Sequence, residues 1–273
     1  MAKERNAGKK GKQGNGITEG VIWKQLLIFF FPILFGTFFQ QLYNTVDAVI
    51  VGRFVGKEAL AAVGGSTGTL INLLVGFFVG LSSGATVIIS QFYGGGREKR
   101  VSEAVHTAIA FSLACGVGLM VIGIAASPIA LRAMGTPDDI MQYSLSYIRI
   151  YFLGIIPNLV YNMGAGILRA IGDSKRPLYY LMASCFTNIV LDLVLVVWLR
   201  LDVRGAAIAT IVSQLVSAVL VVLQLLRTKD SYRLVIRKIR LNLFMVMRIV
   251  RIGLPAGLQS VMYLPPTSLS RAA

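Results

Sequence analysis

Charge is scarce in this sequence, and acid is scarcer than base. Only 14% of the 273 residues are charged, 12 of them acidic against 27 basic. Soluble domains carry about 25% charge, so a soluble globular fold is excluded. The charge that exists is confined to short islands between long apolar runs. Ten-residue segments of alternating polarity are missing, which excludes transmembrane strands. There is one histidine, His106, so paired-histidine metal chemistry is excluded. It reads as an interfacial residue rather than a proton relay. The two cysteines, Cys115 and Cys185, lie mid-span without metal-ligand spacing and read as packing residues. No Gly-x-Ser-x-Gly, Cys-x-x-Cys or nucleotide-binding loop occurs, so nothing points to an enzyme. No cluster of basic residues is interleaved with exposed aromatics, which argues against nucleic acid despite a net charge of +15.

What is present is hydrophobic length. The composition is 55% hydrophobic with a mean hydropathy of +0.71. This reads as an all-α polytopic membrane protein. Residues 1–20, rich in Lys, Gly, Asn and Gln, read as a disordered basic tail. The apolar run that follows is too long for a cleaved signal peptide. Spans are expected over about 25–51, 60–92, 102–126, 147–168, 178–199 and 205–226. Residues 21–226 thus make a six-helix bundle. The stretch 127–146 reads as a connection, with a helix start at Asp138 and Asp139 after Pro137. Residues 227–251 are strongly basic and partly amphipathic, as in a helix lying on the membrane surface. Residues 252–273 read as the cut-short start of a further bundle.

Twenty of the 27 Lys and Arg residues fall on the side of the N-terminus when the loops are sorted alternately, and six on the other. The positive-inside rule then places the N-terminus and the 227–251 segment in the cytoplasm, in a cell (plasma or inner) membrane. In the second span Gly64, Gly68, Gly76, Gly80 and Gly84 recur at multiples of four. Such a stripe lets another backbone approach closely.

Two acids stand out because they sit inside spans. A carboxylate in the bilayer costs about 2.5–3.5 kcal/mol on insertion scales, so a chain that keeps one usually uses it. Asp47 precedes Arg53 by six residues, and Asp192 precedes Arg200 by eight. Thr210 follows Arg204 by six. At ~1.5 Å per residue all three lie roughly 9–12 Å below the outer boundary. Asn188 is one turn deeper than Asp192 on the same helix face. Two carboxyls, an amide and a hydroxyl are hard oxygen ligands suited to Na⁺ at Asp47 and Asp192, and equally able to hold a proton. The alternative is that each acid pairs with a base or caps a kink, but no Lys or Arg lies at that depth. No cofactor other than a coupling ion is expected, and an ion gradient is the expected energy source.

Several motifs carry a family resemblance. They are Gln40-Gln41-Leu42-Tyr43-Asn44-Thr45-Val46-Asp47 through Gly52-Arg53, Gly84-Ala85-Thr86 through Tyr93-Gly94, Arg169-Ala170-Ile171-Gly172-Asp173 through Pro177, and Asn188-Ile189-Val190-Leu191-Asp192. Residues 20 to about 262 resemble the multidrug and toxic compound extrusion (MATE) family. The resemblance implies an antiporter of two six-helix bundles that exports organic, often cationic, drugs in exchange for Na⁺ or H⁺. It implies cation or proton binding at Asp47, Asn188, Asp192 and Thr210, a helix-1 bend at Pro32, and a polar network that Tyr147 and Asn162 on helix 4 join. The chain corresponds to an N-terminal half, with Pro255-Ala256-Gly257 echoing the region from Pro32. Two other readings stay open. One is a lipid-linked oligosaccharide flippase of the same superfamily, and the other is a non-transporting remnant or assembly partner. The expected partners are small organic cations, the bilayer and a missing C-terminal half or second copy.

Overall fold

A computed structural model describes residues 22–262. The basic tail expected over 1–20 and the segment after 262 lie outside the described residues. Among the described residues there are nine α-helices and no strand. In chain order they are α1 (Ile22–Phe54), α2 (Lys57–Gly64), α3 (Ser66–Gly94), α4 (Glu98–Ala133), α5 (Asp138–Leu153), α6 (Ile155–Ala170), α7 (Lys175–Asp192), α8 (Asp202–Arg227) and α9 (Leu243–Met262).

Six helical stretches are long and apolar enough to cross a membrane, and the bent pair α5–α6 makes a seventh if taken as one span. The fold is therefore the all-helical polytopic bundle expected from the hydrophobic runs. Each span bears its own backbone hydrogen bonds, which hydrocarbon requires. Large apolar side chains such as Phe30, Phe31, Phe35 and Phe38 on α1 are exposed and face outward.

The expected second span is interrupted at Gly65, between α2 and α3, and the boundaries differ from expectation in three further places. First, the connection expected over 127–146 is short. The helix α4 continues through Pro128 to Ala133, and α5 begins at Asp138. Second, the fourth span is not one helix. It bends by 50° at Gly154, between α5 and α6. Pro157 cannot donate to the carbonyl of Leu153, so the helix cannot run on unbroken. A Cβ on Gly154 would also strike Ile211 of α8. Third, no surface helix covers the basic segment after α8. Apart from a single 3₁₀ turn at Ile236–Lys238, residues 228–242 are irregular, and α9 starts at Leu243. Tyr232 and Leu234 are buried while Arg233 is exposed, an extended in-and-out alternation rather than a helical one.

This segment is pinned to α4. The backbone N–H of Val235 donates to Nε2 of His106 at 2.9 Å. Nε2 must therefore be the bare nitrogen, so Nδ1 carries the proton and donates to the Ser102 carbonyl at 2.6 Å. His106 is buried, at 4% exposure. Asn242 caps α9, its Oδ1 accepting from the N–H groups of Phe244 and Met245 at 3.0 and 3.3 Å.

The glycine stripe is used in part. Its half at Gly80 and Gly84 lies backbone to backbone against Gly257 and Gly253 of α9. A Cβ on Gly84 would come within 2.6 Å of the Gly253 nitrogen. Gly64 meets nothing within 4 Å, and the helix is interrupted just after it, at Gly65. Two apolar clusters hold the bundle. One, at the basic end, centres on Ile89, Val105, Ile167, Leu225 and Ile249. The other, at the far end, centres on Val51, Leu131, Ile148, Phe152 and Ala206.

Candidate cation site

Four helices each contribute one polar stripe at three- and four-residue spacing. On α1 it runs Pro32, Gly36, Gln40, Tyr43, Asp47. On α6 it runs Asn158, Tyr161, Asn162, Ala165, Arg169. On α7 it runs Leu181, Ser184, Cys185, Asn188, Asp192, and on α8 Thr210, Ser213, Gln214, Ser217. Spacings of three and four put each set on one helix face, and the bundle turns those faces toward one another. Ser184 ties α7 to α8 by donating to the Ser213 carbonyl at 2.7 Å.

At the far end of these stripes the Asp47 and Asp192 carboxyl groups are close neighbours, each within the other's electrostatic reach. Both are buried, at 7% and 0% exposure, as are Asn188 and Thr210 at 0% and 2%. No Lys or Arg side chain pairs with either acid; the ion pairs among the described residues are Arg100–Glu103 and Arg176–Asp173, at the basic end. Oδ1 of Asp47, both oxygens of Asp192, and both side-chain amide atoms of Asn188 lack a hydrogen-bond partner. Orphaned buried acceptors are costly, and two facing carboxyl groups cannot both stay charged without a counter-ion. A monovalent cation between them, Na⁺ or H⁺, would meet both demands. Among the described residues no set of three acid, histidine or cysteine side chains converges, so the donor set is two carboxyls with neutral oxygens.

Thr210 belongs to the same layer. Its hydroxyl donates to the Ala206 carbonyl at 3.0 Å, which leaves its oxygen lone pairs for the site. The Tyr147 hydroxyl reaches Thr210 and lies near Asp47, and its ring stacks on Tyr151 with centroids 6.4 Å apart. Asn162 does not join this group. It donates to Asn158 instead, at 2.9 Å to the carbonyl and 3.1 Å to Oδ1. The bend at Gly154 separates the two helix-4 residues, Tyr147 falling on α5 and Asn162 on α6.

Toward the basic end the stripes open into a cavity of about 120 Å³, walled by Pro32, Gln40, Asn162, Arg169 and Gln214 among others. Tyr43 lines this cavity and also lies near both acids. Gln214, whose Oε1 is orphaned, contacts Tyr151 and closes the wall from α8. Sequence reading missed Tyr43 and Gln214. The signal for Tyr43 was available, since it stands one turn before Asp47. After Asp192 the helix widens into a π-helix at Leu193–Trp198, with Leu199 N–H donating to Val194 at 2.9 Å. Such π segments are frequent at functional sites.

The fold is that of a polytopic helical membrane protein with a buried acid pair, and comparison with known proteins gives the family. The MatE family profile matches residues 32–194. The chain is 32% identical over 248 residues to the probable multidrug resistance protein YoeA of Bacillus subtilis, covering 88% of this chain and 53% of that protein. It is 22% identical to the multidrug export protein MepA of Staphylococcus aureus, with the same coverages. Among solved structures, an outward-facing multidrug resistance MATE family transporter superposes with a TM-score of 0.84 at 27% identity, over 93% of this chain and 56% of that one. A transporter of the same superfamily from Pyrococcus furiosus, described as having a binding pocket of reversed polarity, superposes with a TM-score of 0.80 at 28% identity, over 93% of this chain and 56% of that one. The chain belongs to the MatE family. It spans about half the length of the curated relatives it matches.

Proposed function

We propose that this chain carries the coupling-ion site of a multidrug exporter, binding Na⁺ or H⁺ between Asp47 and Asp192. The observation that carries the reading is the buried acid pair with its orphaned oxygens and no basic partner. Asn188 and Thr210 supply neutral oxygens. The relatives' names, multidrug resistance and multidrug export proteins, supply the substrate class, small organic compounds.

The coupling follows from the stripe on α1. Filling the acid pair neutralises charge beside Tyr43, and Tyr43 also walls the cavity. Displacing the cation leaves two facing carboxylates whose repulsion acts on α1 and α7. The helix α1 can yield because Pro32 lacks an N–H for the Ile28 carbonyl, which weakens the helix beside the cavity. An organic cation leaving and an inorganic cation entering is then an exchange of like charges. In this reading the chain acts as the N-terminal half of the exporter. Alternating access moves one bundle against another, so export requires the half that the relatives have beyond the matched region.

A lipid-linked oligosaccharide flippase is the second reading. It draws on one observation, the Arg169 side chain in the cavity wall, the lone cation among the residues lining it. Binding of ethidium to the purified chain, followed by fluorescence, tests the two. The exporter reading expects Na⁺ or acid to displace the dye from wild type and not from Asp47→Asn. Equal displacement from both proteins contradicts it. Absence of dye binding, with binding of a pyrophosphate-linked lipid in its place, supports the flippase. If neither dye, lipid nor cation binds, the chain is a non-transporting partner.

A further inference from the structure

A second cavity lies at the opposite end of the bundle from the acid pair. It is a crevice of about 640 Å³ between the start of α4 and the segment before α9. Lys99 on α4 lines one wall, and Lys238 and Arg240 line the other. The neighbouring groups from both elements are already occupied. The carboxylate of Glu103 accepts from Arg100 at 3.0 Å and from Asn242 at 2.6 Å. Both ring nitrogens of His106 are spent, on Ser102 and on Val235. No ion pair among the described residues engages Lys99, Lys238 or Arg240. Three cations therefore face one crevice, and its single acid is neutralised by a separate arginine.

Leu241 lines the crevice, and further exposed apolar side chains stand within five residues of it in the chain. Ile236, Leu241, Leu243 and Phe244 are 68%, 51%, 75% and 63% exposed, although two of them open the membrane-spanning helix α9. Side chains of this kind at a span end belong in the acyl region, while the long stems of Lys and Arg reach up to the headgroup layer. The same few residues thus offer an anion site and hydrocarbon contact side by side.

We propose that this crevice seats the anionic phosphodiester headgroup of a membrane phospholipid, with Lys99, Lys238 and Arg240 on the phosphate and Ile236, Leu241 and Phe244 against the acyl chains. A free phosphate shares the anion chemistry but leaves Leu241 and its exposed apolar chain neighbours in water, so the lipid is the occupant. Basic pockets at helix ends of membrane proteins bind such headgroups. The site does not depend on drug export. Its consequence is mechanical. Bound lipid clamps the 236–242 segment to α4 and so fixes where α9 begins.

The test uses the purified chain in a neutral maltoside detergent, titrated separately with phosphatidylglycerol, phosphatidylcholine and inorganic phosphate. Lipid adducts are counted by native mass spectrometry and thermal unfolding midpoints are recorded. Phosphatidylglycerol is expected to bind and raise the midpoint, and the other two to do neither. The Lys99→Gln/Lys238→Gln/Arg240→Gln variant is expected to lose affinity by roughly tenfold or more. Arg200→Gln/Arg204→Gln, at the far end, is expected to bind as wild type does. The three cations are exposed and unpaired, so the variant should fold; Lys238→Gln alone carries the same test at a smaller factor. Equal affinity in the triple variant or in Lys238→Gln, or equal binding of phosphatidylcholine, overturns the proposal. Inorganic phosphate matching phosphatidylglycerol overturns the lipid as occupant.

Discussion

Two seams of this bundle are built on opposite terms. Where α3 meets α9, glycine lies on glycine and the backbones touch, and among the described residues no unpartnered buried side-chain polar atom comes from α9 or from the Gly80–Gly84 stretch of α3. Where α1 meets α7 and α8, polar stripes face each other, a cavity opens, and carboxyl and amide atoms go without partners. Without a hydrophobic drive between helices in lipid, close packing is what holds a seam together. The α3–α9 seam is therefore a fixed joint. On the proposed function, the α1–α7 seam gives up stability for a site that a cation completes, and it is the seam that moves.

The contrast can be broken most directly at Gly84. Gly84→Leu drives a side chain into the Ile249 carbonyl and the Gly253 backbone, and neither can retreat. Overpacking of this kind costs about 1–3 kcal/mol and occasionally more. The expected result is a large fall in the thermal unfolding midpoint, or loss of folded protein on size-exclusion chromatography. An unchanged midpoint would mean that α9 does not sit on α3.

The sign should reverse at the other seam. Asp192→Asn removes one of two facing acids and adds an N–H that can donate to Asp47. Strained polar sites are where function is held at the expense of stability. The variant is expected to gain about 1 kcal/mol, by the usual worth of one buried hydrogen bond, and to show no stabilisation by added cation. A clear loss of stability without added ligand would show that the acid is structural.

A smaller effect sharpens the account of how α9 reaches its groove. Asn242→Ala removes the cap on the Phe244 and Met245 N–H groups and the bond to Glu103. Loss of a cap costs about 1 kcal/mol. Hydrogen exchange should quicken in the first turn of α9 and leave α1 and α7 unchanged. The smallest effect is expected for Arg100→Ala. Its pair with Glu103 is half exposed, and such pairs contribute within about 0–1 kcal/mol. A midpoint shift as large as that of Gly84→Leu would give the basic end a weight that its packing does not indicate.

Much of this was legible in the residues. Asp47 and Asp192 were conspicuous because nothing else charged lies in their spans, and counting to Arg53, Arg200 and Arg204 put them and Thr210 in one layer. The glycine spacing announced a close helix contact, though not with which helix. What was hidden depends on tertiary context. A proline after a glycine can end a helix or merely bend it, so the α5–α6 break at Gly154 could not be distinguished from a straight span. Tyr43 reads as one more aromatic until the bundle places it between the acids and the cavity. The segment 228–242 has basic and apolar residues that suit an amphipathic helix. Its Tyr232 and Leu234 instead pack, at every second position, into the apolar cluster at the basic end, and His106 holds the backbone there.

Cation binding by the two acids is the most direct test of the central claim. Purified wild type, Asp47→Asn and Asp192→Asn would be compared in weakly buffered detergent solution, with ²²Na⁺ retention and proton release recorded together as Na⁺ is added, and proton uptake recorded on acidification. Wild type is expected to hold one monovalent cation at this site, taking up Na⁺ with release of a proton or titrating one proton that both variants lack. Identical Na⁺ retention and identical proton uptake in all three proteins would contradict a shared site between Asp47 and Asp192.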